Sequence, residues 1–254
     1  MIRFPRAFAG VATALALLTA PVQALDLTTM NAAERAAFGA EVRAYLLENP
    51  EVIIEAVNLL EQRQADSEAA QDVALVANNM DELQNDGYSW VGGNPDGDIT
   101  LVEFMDYRCG YCRRAAPEVA QLLTEDGNIR LVIKEFPILG EASVLSSRFA
   151  IATRLVAGAD AYKQVHDALI EFGGEPSDVS LRRLSEGLGL DTDAIMAKMD
   201  APEIDHELSQ NRALAQRLKI SGTPTFVLED ELLRGYLPAD QMSVIIADKR
   251  DQRG

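Results

Sequence analysis

Apolar side chains recur at helical spacing in the first third of the chain, over residues 25–86. Asn49-Pro50-Glu51 interrupts the pattern and predicts a second helix, since asparagine caps helices and proline suits their first position. The apolar stripe of this second helix is too thin to form a core of its own. We therefore predict a helical arm over residues 25–86 that associates with a second copy; packing against the next domain and a solvated spacer are the alternatives. The first helical face follows a spacing of i, i+4, i+7 and i+8: Phe38, Val42, Tyr45 and Leu46.

Strand patterns begin after a loop rich in glycine, asparagine, aspartate and proline at residues 86–98. Residues 99–105 and 129–136 are almost continuously apolar, which is typical of strands that are buried on both faces. A helix is predicted between them, from about residue 109 to residue 123. This order of elements indicates a β-α-β unit.

Helical spacing returns over residues 141–219, where glycines separate several amphipathic segments. Two short strands are predicted at residues 224–229 and 232–236, followed by a last helix from about Pro238. A β-α-β half and a β-β-α half therefore flank a block of helices. We predict an α/β fold from this arrangement.

The first 24 residues have the pattern of a secretory signal peptide. Arg3 and Arg6 precede a run of small and apolar residues, and Val22-Gln23-Ala24 resembles a small-residue cleavage site. The apolar run is shorter than the ~20 residues that span a bilayer, although an uncleaved anchor is the alternative. We expect cleavage near Ala24 and export to the periplasm, where a disulfide can persist.

Composition narrows the class of function. The 254 residues carry 23 Lys+Arg against 40 Asp+Glu, a formal net charge of -17, which argues against a nucleic-acid partner because a polyanion would be repelled. Two cysteines and two histidines exclude a miniprotein held together by disulfides. They also leave few soft ligands for a metal site.

The two cysteines lie three residues apart in Cys109-Gly110-Tyr111-Cys112, directly after a predicted buried strand and where a helix should begin. A sulfur at a helix N-terminus lies near free N–H groups and the positive end of the dipole, which favour the thiolate. Cysteines in such settings have pKa values of roughly 3.5–7.5. The pair could therefore donate, accept or shuffle a disulfide.

Three other interpretations of the cysteine pair compete with redox chemistry. A zinc site would need two more ligands, and His166 and His206 lie far along the chain. A structural disulfide would close so short a loop that it would constrain little of the unfolded chain. Inert buried thiols fit poorly with an exported protein. Redox chemistry is therefore the favoured interpretation.

A second motif, Gly222-Thr223-Pro224-Thr225-Phe226, is informative only in combination with the cysteine pair. Together with residues 104–112 and Lys134-Glu135-Phe136-Pro137, it resembles the DsbA-like branch of the thioredoxin superfamily. The resemblance covers about residues 98–249, and the arm is similar to that of ScsC-type and Com1-like members. It implies a thioredoxin-like fold over residues 87–250, with an inserted helical domain at about residues 141–219 and the helical arm before it.

The resemblance also implies roles for individual residues. Cys109 is expected to be the nucleophile and Cys112 the resolving thiol. Thr223-Pro224 is expected to be a cis peptide beside the disulfide that holds an extended substrate by main-chain contacts. Gly110-Tyr111, between the cysteines, is expected to contribute to substrate binding.

An acid and a base on the two predicted strands are further candidates. Glu103 stands six residues before Cys109, where the family has a buried acid that relays a proton from the buried thiol. Lys134, on the adjacent strand, could pair with Glu103, because a lone buried charge is costly. The alternatives are an ordinary edge or surface acid and a solvated strand end.

The expected function is thiol–disulfide exchange in exported, cysteine-containing proteins, with the Cys109–Cys112 disulfide as the redox group and no separate cofactor. A membrane redox partner is implied. The Gly110-Tyr111 dipeptide and the arm favour an isomerase over an oxidase. The alternative is a protein without enzymatic activity that binds copper or holds clients, although no methionine or histidine cluster lies near Cys109 in the sequence.

Overall fold

The structure is a computed structural model that describes residues 29–253. The predicted signal peptide, residues 1–24, lies outside the described residues. The chain divides into two compact units, one that ends at Gln62 and one that begins at Arg63. Among residues 29–253, no helix combines the length and the apolar content that crossing a bilayer requires.

The first unit contains helix α1 (Ala32–Glu48) and the first turns of helix α2 (Glu51–Asn78), so the predicted helices are present. Asn31 caps α1 by accepting a hydrogen bond from the amide of Glu34, whose carboxylate accepts one from the amide of Asn31. α1 buries none of its residues. Large apolar side chains are exposed along this unit: Phe38, Val42, Tyr45, Leu47, Ile53, Ile54, Val57, Leu59 and Leu60.

The second unit begins within α2, and the second half of that helix packs into it. Val76 on α2 and Leu83 on helix α3 (Met80–Gln84) are fully buried among apolar side chains of the sheet. Arg234 donates two hydrogen bonds to the carboxylate of Asp72 on α2. These contacts explain why the compact unit starts earlier than the predicted boundary near residue 86.

A five-stranded mixed sheet forms the centre of the second unit, in the order β1-β3-β2-β4-β5. β2 and β3 are parallel, and the other neighbouring pairs are antiparallel. Four of the strands agree with prediction to within one or two residues. The strands are β1 (Trp90–Gly93), β2 (Ile99–Met105), β3 (Ile129–Glu135), β4 (Thr225–Leu228) and β5 (Glu231–Arg234).

The sequence predicts a loop over residues 86–98, whereas the structure has strand β1 within that range. Two of its four residues are glycines, so neither length nor alternation marks it as a strand. Trp90 on β1 is buried, and its indole N–H donates to the carbonyl oxygen of Ala159 at 3.0 Å. This bond joins the edge strand to the helices beyond β3.

Helix α4 connects the two parallel strands, which confirms the predicted β-α-β unit. Five helices occupy the segment between β3 and β4 that was predicted as a helical insertion, and a last helix follows β5. The helices of this unit are α4 (Gly110–Asp126), α5 (Glu141–Ala157), α6 (Ala159–Glu171), α7 (Asp178–Gly187), α8 (Thr192–Lys198), α9 (Pro202–Arg217) and α10 (Ala239–Arg253).

The central strand β2 is buried on both faces, so its successive residues enter two different cores. Leu101 and Met105 pack with apolar side chains of α4, α5 and α6. Val102 and Phe104 pack on the opposite face, with α2, α3 and α9. Because Glu103 alternates with Val102 and Phe104, it shares the face that α4 covers.

Candidate active site

A short turn links the end of β2 to the first residue of α4 and fixes the position of Cys109. Asp106 is fully buried and its carboxylate accepts hydrogen bonds from the amides of Arg108 at 2.8 Å, Ile138 at 2.8 Å and Leu139 at 3.1 Å. The amide of Cys109 donates to the carbonyl oxygen of Asp106 at 3.0 Å. Cys109 is thereby held as the N-cap of α4, as predicted.

The sulfur of Cys109 contacts the loop before β4. Its thiol donates to the carbonyl oxygen of Thr223 at 3.1 Å, and the Thr223-Pro224 peptide bond is cis. The predicted cis bond beside the cysteine pair is therefore confirmed. Gly110 and Tyr111 are exposed on the adjoining first turn of α4, with 62% of Tyr111 accessible.

The two thiols differ in access. Cys109 retains 8% exposure, whereas Cys112 has none, and both are free thiols in this structure. Burial raises the pKa of the Cys112 thiol, and the nearby charge of Glu103 raises it further. A partner from solution would therefore meet Cys109 first, and Cys112 needs help to lose its proton.

Glu103 is buried under the cysteine pair, as predicted. Burial and the charge of Glu135 raise the pKa of the Glu103 carboxyl to about 8. Glu103 also lines a small cavity of about 60 Å³ between the sheet and α4 and α6, which has room for water. A carboxyl with such a pKa exchanges its proton near neutral pH.

The predicted pairing of Lys134 with Glu103 is wrong. Lys134 lies opposite Phe104 in the register of β2 and β3, so it points into the other core. Its ammonium group donates to the Asp86 carboxylate at 2.5 Å and to the carbonyl oxygen of Glu82 at 2.7 Å. Lys134 is thus a buried partner of α3 and of the segment that follows it, and not a neighbour of the cysteine pair.

Three arginines flank the cysteines, and each has a partner away from the sulfur atoms. Arg108 donates to Glu175 at 3.0 Å and to the carbonyl oxygen of Gly174 at 2.9 Å. Arg113 donates to the carbonyl oxygen of Phe172 at 2.8 Å. Arg114 stacks over the ring of Tyr236, 4.5 Å from its centroid. Two of these side chains tie the turn and α4 to the helical insertion.

Sequence reasoning missed the environment of Glu135, the last residue of β3. The carboxylate accepts hydrogen bonds from the hydroxyl groups of Tyr107 at 2.8 Å, Tyr162 at 2.6 Å and Ser147 at 2.7 Å. Burial raises the pKa of Glu135 to about 7, and these three donors oppose the increase. The sequence does contain a signal for this site. Glu135 is an acidic residue in a mostly apolar strand, as Glu103 is in the neighbouring strand.

Glu103→Gln is expected to stabilise the fold above pH 5. With a folded pKa of about 8 against an ordinary value of 4.5, the folded protein keeps a proton that the unfolded chain releases, so stability falls as pH rises through this window. The glutamine removes this loss, so its advantage in the free energy of unfolding should grow by roughly 3 to 4 kcal/mol between pH 5 and pH 8. Urea unfolding of both proteins at pH 5 and pH 8 measures this effect. An advantage that is the same at both pH values would contradict it.

Within residues 29–253, no group of three or more histidine, cysteine, aspartate or glutamate side chains lies together as a metal site. The sequence pattern of the DSBA-like thioredoxin domain family matches residues 100–247. The sequence pattern of a second family, the copper resistance protein ScsC N-terminal domain, matches residues 34–66 within the arm.

Two solved structures are similar to this chain. A thioredoxin-like oxidoreductase from Silicibacter pomeroyi is 42% identical, with a TM-score of 0.64, and the alignment covers 67% of this chain and 97% of that one. Proteus mirabilis ScsC in a transitional conformation is 28% identical, with a TM-score of 0.64, and the alignment covers 89% of this chain and 99% of that one.

Curated relatives share part of their length with this chain. A probable disulfide bond formation protein D of Bacillus cereus is 25% identical over 158 residues, which are 55% of this chain and 69% of that protein. A Na(+)/H(+) antiporter NhaA 3 of Salinispora tropica is 28% identical over 156 residues. The chain spans only 24% of the length of that antiporter, although 61% of this chain takes part in the match.

Proposed function

The chain belongs to the DSBA-like thioredoxin domain family, and we propose that it is a thiol–disulfide oxidoreductase acting on exported, cysteine-containing proteins. One observation carries the proposal. Cys109 lies at the surface end of α4 against the carbonyl oxygen of Thr223, while Cys112 lies fully buried behind it. This arrangement separates a thiol that meets the client from a thiol that resolves the product.

The exchange proceeds through a mixed disulfide. The reduced Cys109 sulfur attacks a client disulfide, forms a bond to one client sulfur and releases the other as a thiolate. The Cys112 sulfur then attacks Cys109, which closes the Cys109–Cys112 disulfide and releases the client as a reduced dithiol. Glu103 takes the Cys112 proton before this second attack. The same steps in reverse oxidise a client.

Main-chain groups near the pair bind the client in this proposal. The loop at Thr223 and Pro224 presents backbone beside the Cys109 sulfur, and an extended peptide adds to such backbone independently of its sequence. The exposed ring of Tyr111 and the open first turn at Gly110 border the same sulfur. Recognition by main chain suits an enzyme with many clients.

We further propose that the arm joins copies of the chain into an oligomer and that this oligomer acts as a disulfide isomerase. The apolar side chains of the first unit are exposed, and a second copy supplies an apolar partner for them. The match of residues 34–66 to the ScsC N-terminal domain supports such an arm. Two or more active sites around one misfolded client favour shuffling of disulfides. We also propose that the protein is exported to the periplasm and that a membrane protein sets the redox state of its cysteine pair.

Removal of residues 29–62 is expected to separate shuffling from simple exchange. The shortened protein should be a monomer, should oxidise a dithiol peptide at the normal rate, and should refold scrambled ribonuclease at least about tenfold more slowly. Light scattering and the two activity assays measure these outcomes. A second variant keeps the complete arm but changes its exposed Tyr45 and Leu47 to serine. It should behave like the deletion, because the apolar side chains are what joins the copies. Full ribonuclease refolding by the monomer would contradict the isomerase proposal.

A further inference from the structure

Glu135 is a buried carboxylate held in place by three parts of the second unit. Its three hydroxyl donors come from the turn before α4 (Tyr107), from α5 (Ser147) and from α6 (Tyr162). Hydrogen bonds to a carboxylate strengthen when it is ionised, so this set of donors favours the charged form. The buried charge therefore has a fixed position within the core.

The register of the sheet brings this charge close to Glu103. Glu103 lies opposite Ile133, and Glu135 lies two residues further along β3, so both carboxylates share the face covered by α4 and α6. Two like charges at this spacing in a protein core cannot both ionise freely. The state of one carboxylate therefore limits the other.

The donors decide which of the two ionises first. Glu135 has three hydroxyl donors and the attraction of Arg154, whereas residues 29–253 supply no hydrogen-bond donor to the Glu103 carboxylate. Glu135 thus takes the negative charge at lower pH. Its charge then opposes the loss of the Glu103 proton.

We propose that Glu135 is a positioning residue that sets, through its fixed charge, the pH at which Glu103 can accept the proton of Cys112. The inference rests on the proposed function, because it concerns the resolution step. In that step the Cys112 proton moves to the Glu103 carboxylate, the sulfur attacks Cys109, and the leaving thiolate enters solvent. The proton later leaves Glu103 through the small cavity that it lines.

Other titratable and charged groups face Glu135 and belong to the same balance. The α6 residue His166 lies 3.1 Å from the Tyr107 hydroxyl, and burial lowers its pKa to about 4, so it is neutral at working pH. Arg154 on α5 attracts the Glu135 charge and also pairs with Glu207 on α9. Burial raises the pKa of Glu207 to about 8, Arg154 opposes this increase, and the Glu135 charge adds to it. Glu103 is the member of this group that lies beside a cysteine.

The test uses 5,5′-dithiobis(2-nitrobenzoate) and the full-length reduced protein. Attack by Cys109 releases one coloured thiolate and leaves the other bound, and attack by Cys112 then releases the second, so the two phases report the two cysteines. Glu135→Gln should move the pH profile of the second phase about one unit lower, a rate increase of about tenfold on its acid side. The profile of the first phase should stay unchanged.

Two further variants keep the test decisive. Tyr162→Phe removes one hydrogen-bond donor to the Glu135 carboxylate and should move the second-phase pH profile in the same direction by a smaller amount. This variant serves as the test if Glu135→Gln does not fold. Glu118→Gln is the matched control, because its carboxylate bonds Tyr236 and Ala239, and it should leave both profiles unchanged. Folded variants with an unmoved second phase would overturn the inference. A wild-type protein with no second phase would instead overturn the proposed function.

Discussion

Cys109→Ser is expected to reduce thiol–disulfide exchange by roughly a thousandfold or more, because a serine hydroxyl does not replace a thiolate as attacker or leaving group. The substitution should leave the fold intact, since the position keeps 8% exposure and the oxygen is smaller than sulfur. Turnover of a fluorescent disulfide peptide measures the loss.

Cys112→Ser is the matched control for this loss, since the same atom is replaced one turn further along α4. Cys109 should still attack, but the mixed disulfide should accumulate because the buried resolving sulfur is missing. Intact-mass measurement after incubation with a peptide disulfide should find one peptide on nearly every Cys112→Ser chain and none on Cys109→Ser. Equal capture by the two variants would contradict the division of labour.

Lys134→Met is expected to give the largest loss of stability, about 3–5 kcal/mol. The side chain of Lys134 is fully buried and that of Asp86 is 6% exposed, so removal of the ammonium group leaves a carboxylate charge in the core without its partner. Burial lowers the pKa of Lys134, and Asp86 opposes this effect. Urea unfolding at pH 7 measures the change.

A double-mutant cycle supplies the control for that prediction. Asp86→Asn alone leaves the buried ammonium group without its counter-charge and should cost a similar amount. The double variant Asp86→Asn with Lys134→Met removes both charges and should recover much of the loss, because the cost comes from an unpaired charge. Strict additivity of the two single losses would contradict the ion pair as their cause. Thiol exchange should persist in every variant that remains folded, since Lys134 lies on the face away from the cysteines.

The sequence predicts the cysteine site well because its signals are local. The apolar run of β2 followed directly by Cys109 fixes a strand, a turn and a helix start within a few residues. The cis bond at Thr223-Pro224 came from the family resemblance, and the structure agrees. The helical insertion is likewise marked by periodicity and by the glycines that interrupt it.

The predictions that were wrong or missing concern features that depend on contacts between residues far apart in the sequence. The sequence does not encode the register of β2 against β3 in any local pattern, and a shift of one residue reverses the face of every side chain. Lys134 was therefore predicted on the face of Glu103, although it lies opposite Phe104. Strand β1 was missed for a similar reason, since pairing with β3 defines it more than its own four residues do.

Burial along α2 differs from turn to turn because it depends on which residues find a packing partner. Val76 belongs to a stripe as thin as that of the preceding turns, yet it is fully buried, while Leu60 on the same helix is exposed. Contacts such as that of Asp72 with Arg234, 162 residues apart in sequence, create the difference. Periodicity gives the face of a helix, but it does not indicate which turns find a partner.

Equilibration of the reduced protein with defined ratios of reduced and oxidised glutathione tests the central claim most directly. After acid quenching and alkylation, intact mass counts free thiols, intramolecular disulfides and glutathione adducts. The account predicts a single reversible Cys109–Cys112 disulfide at a poise more oxidising than thioredoxin's value of about −270 mV, since the positive end of α4 stabilises negative sulfur in the reduced form. Thiols that stay free at every ratio, or glutathione that stays on Cys109 without ring closure, would contradict it.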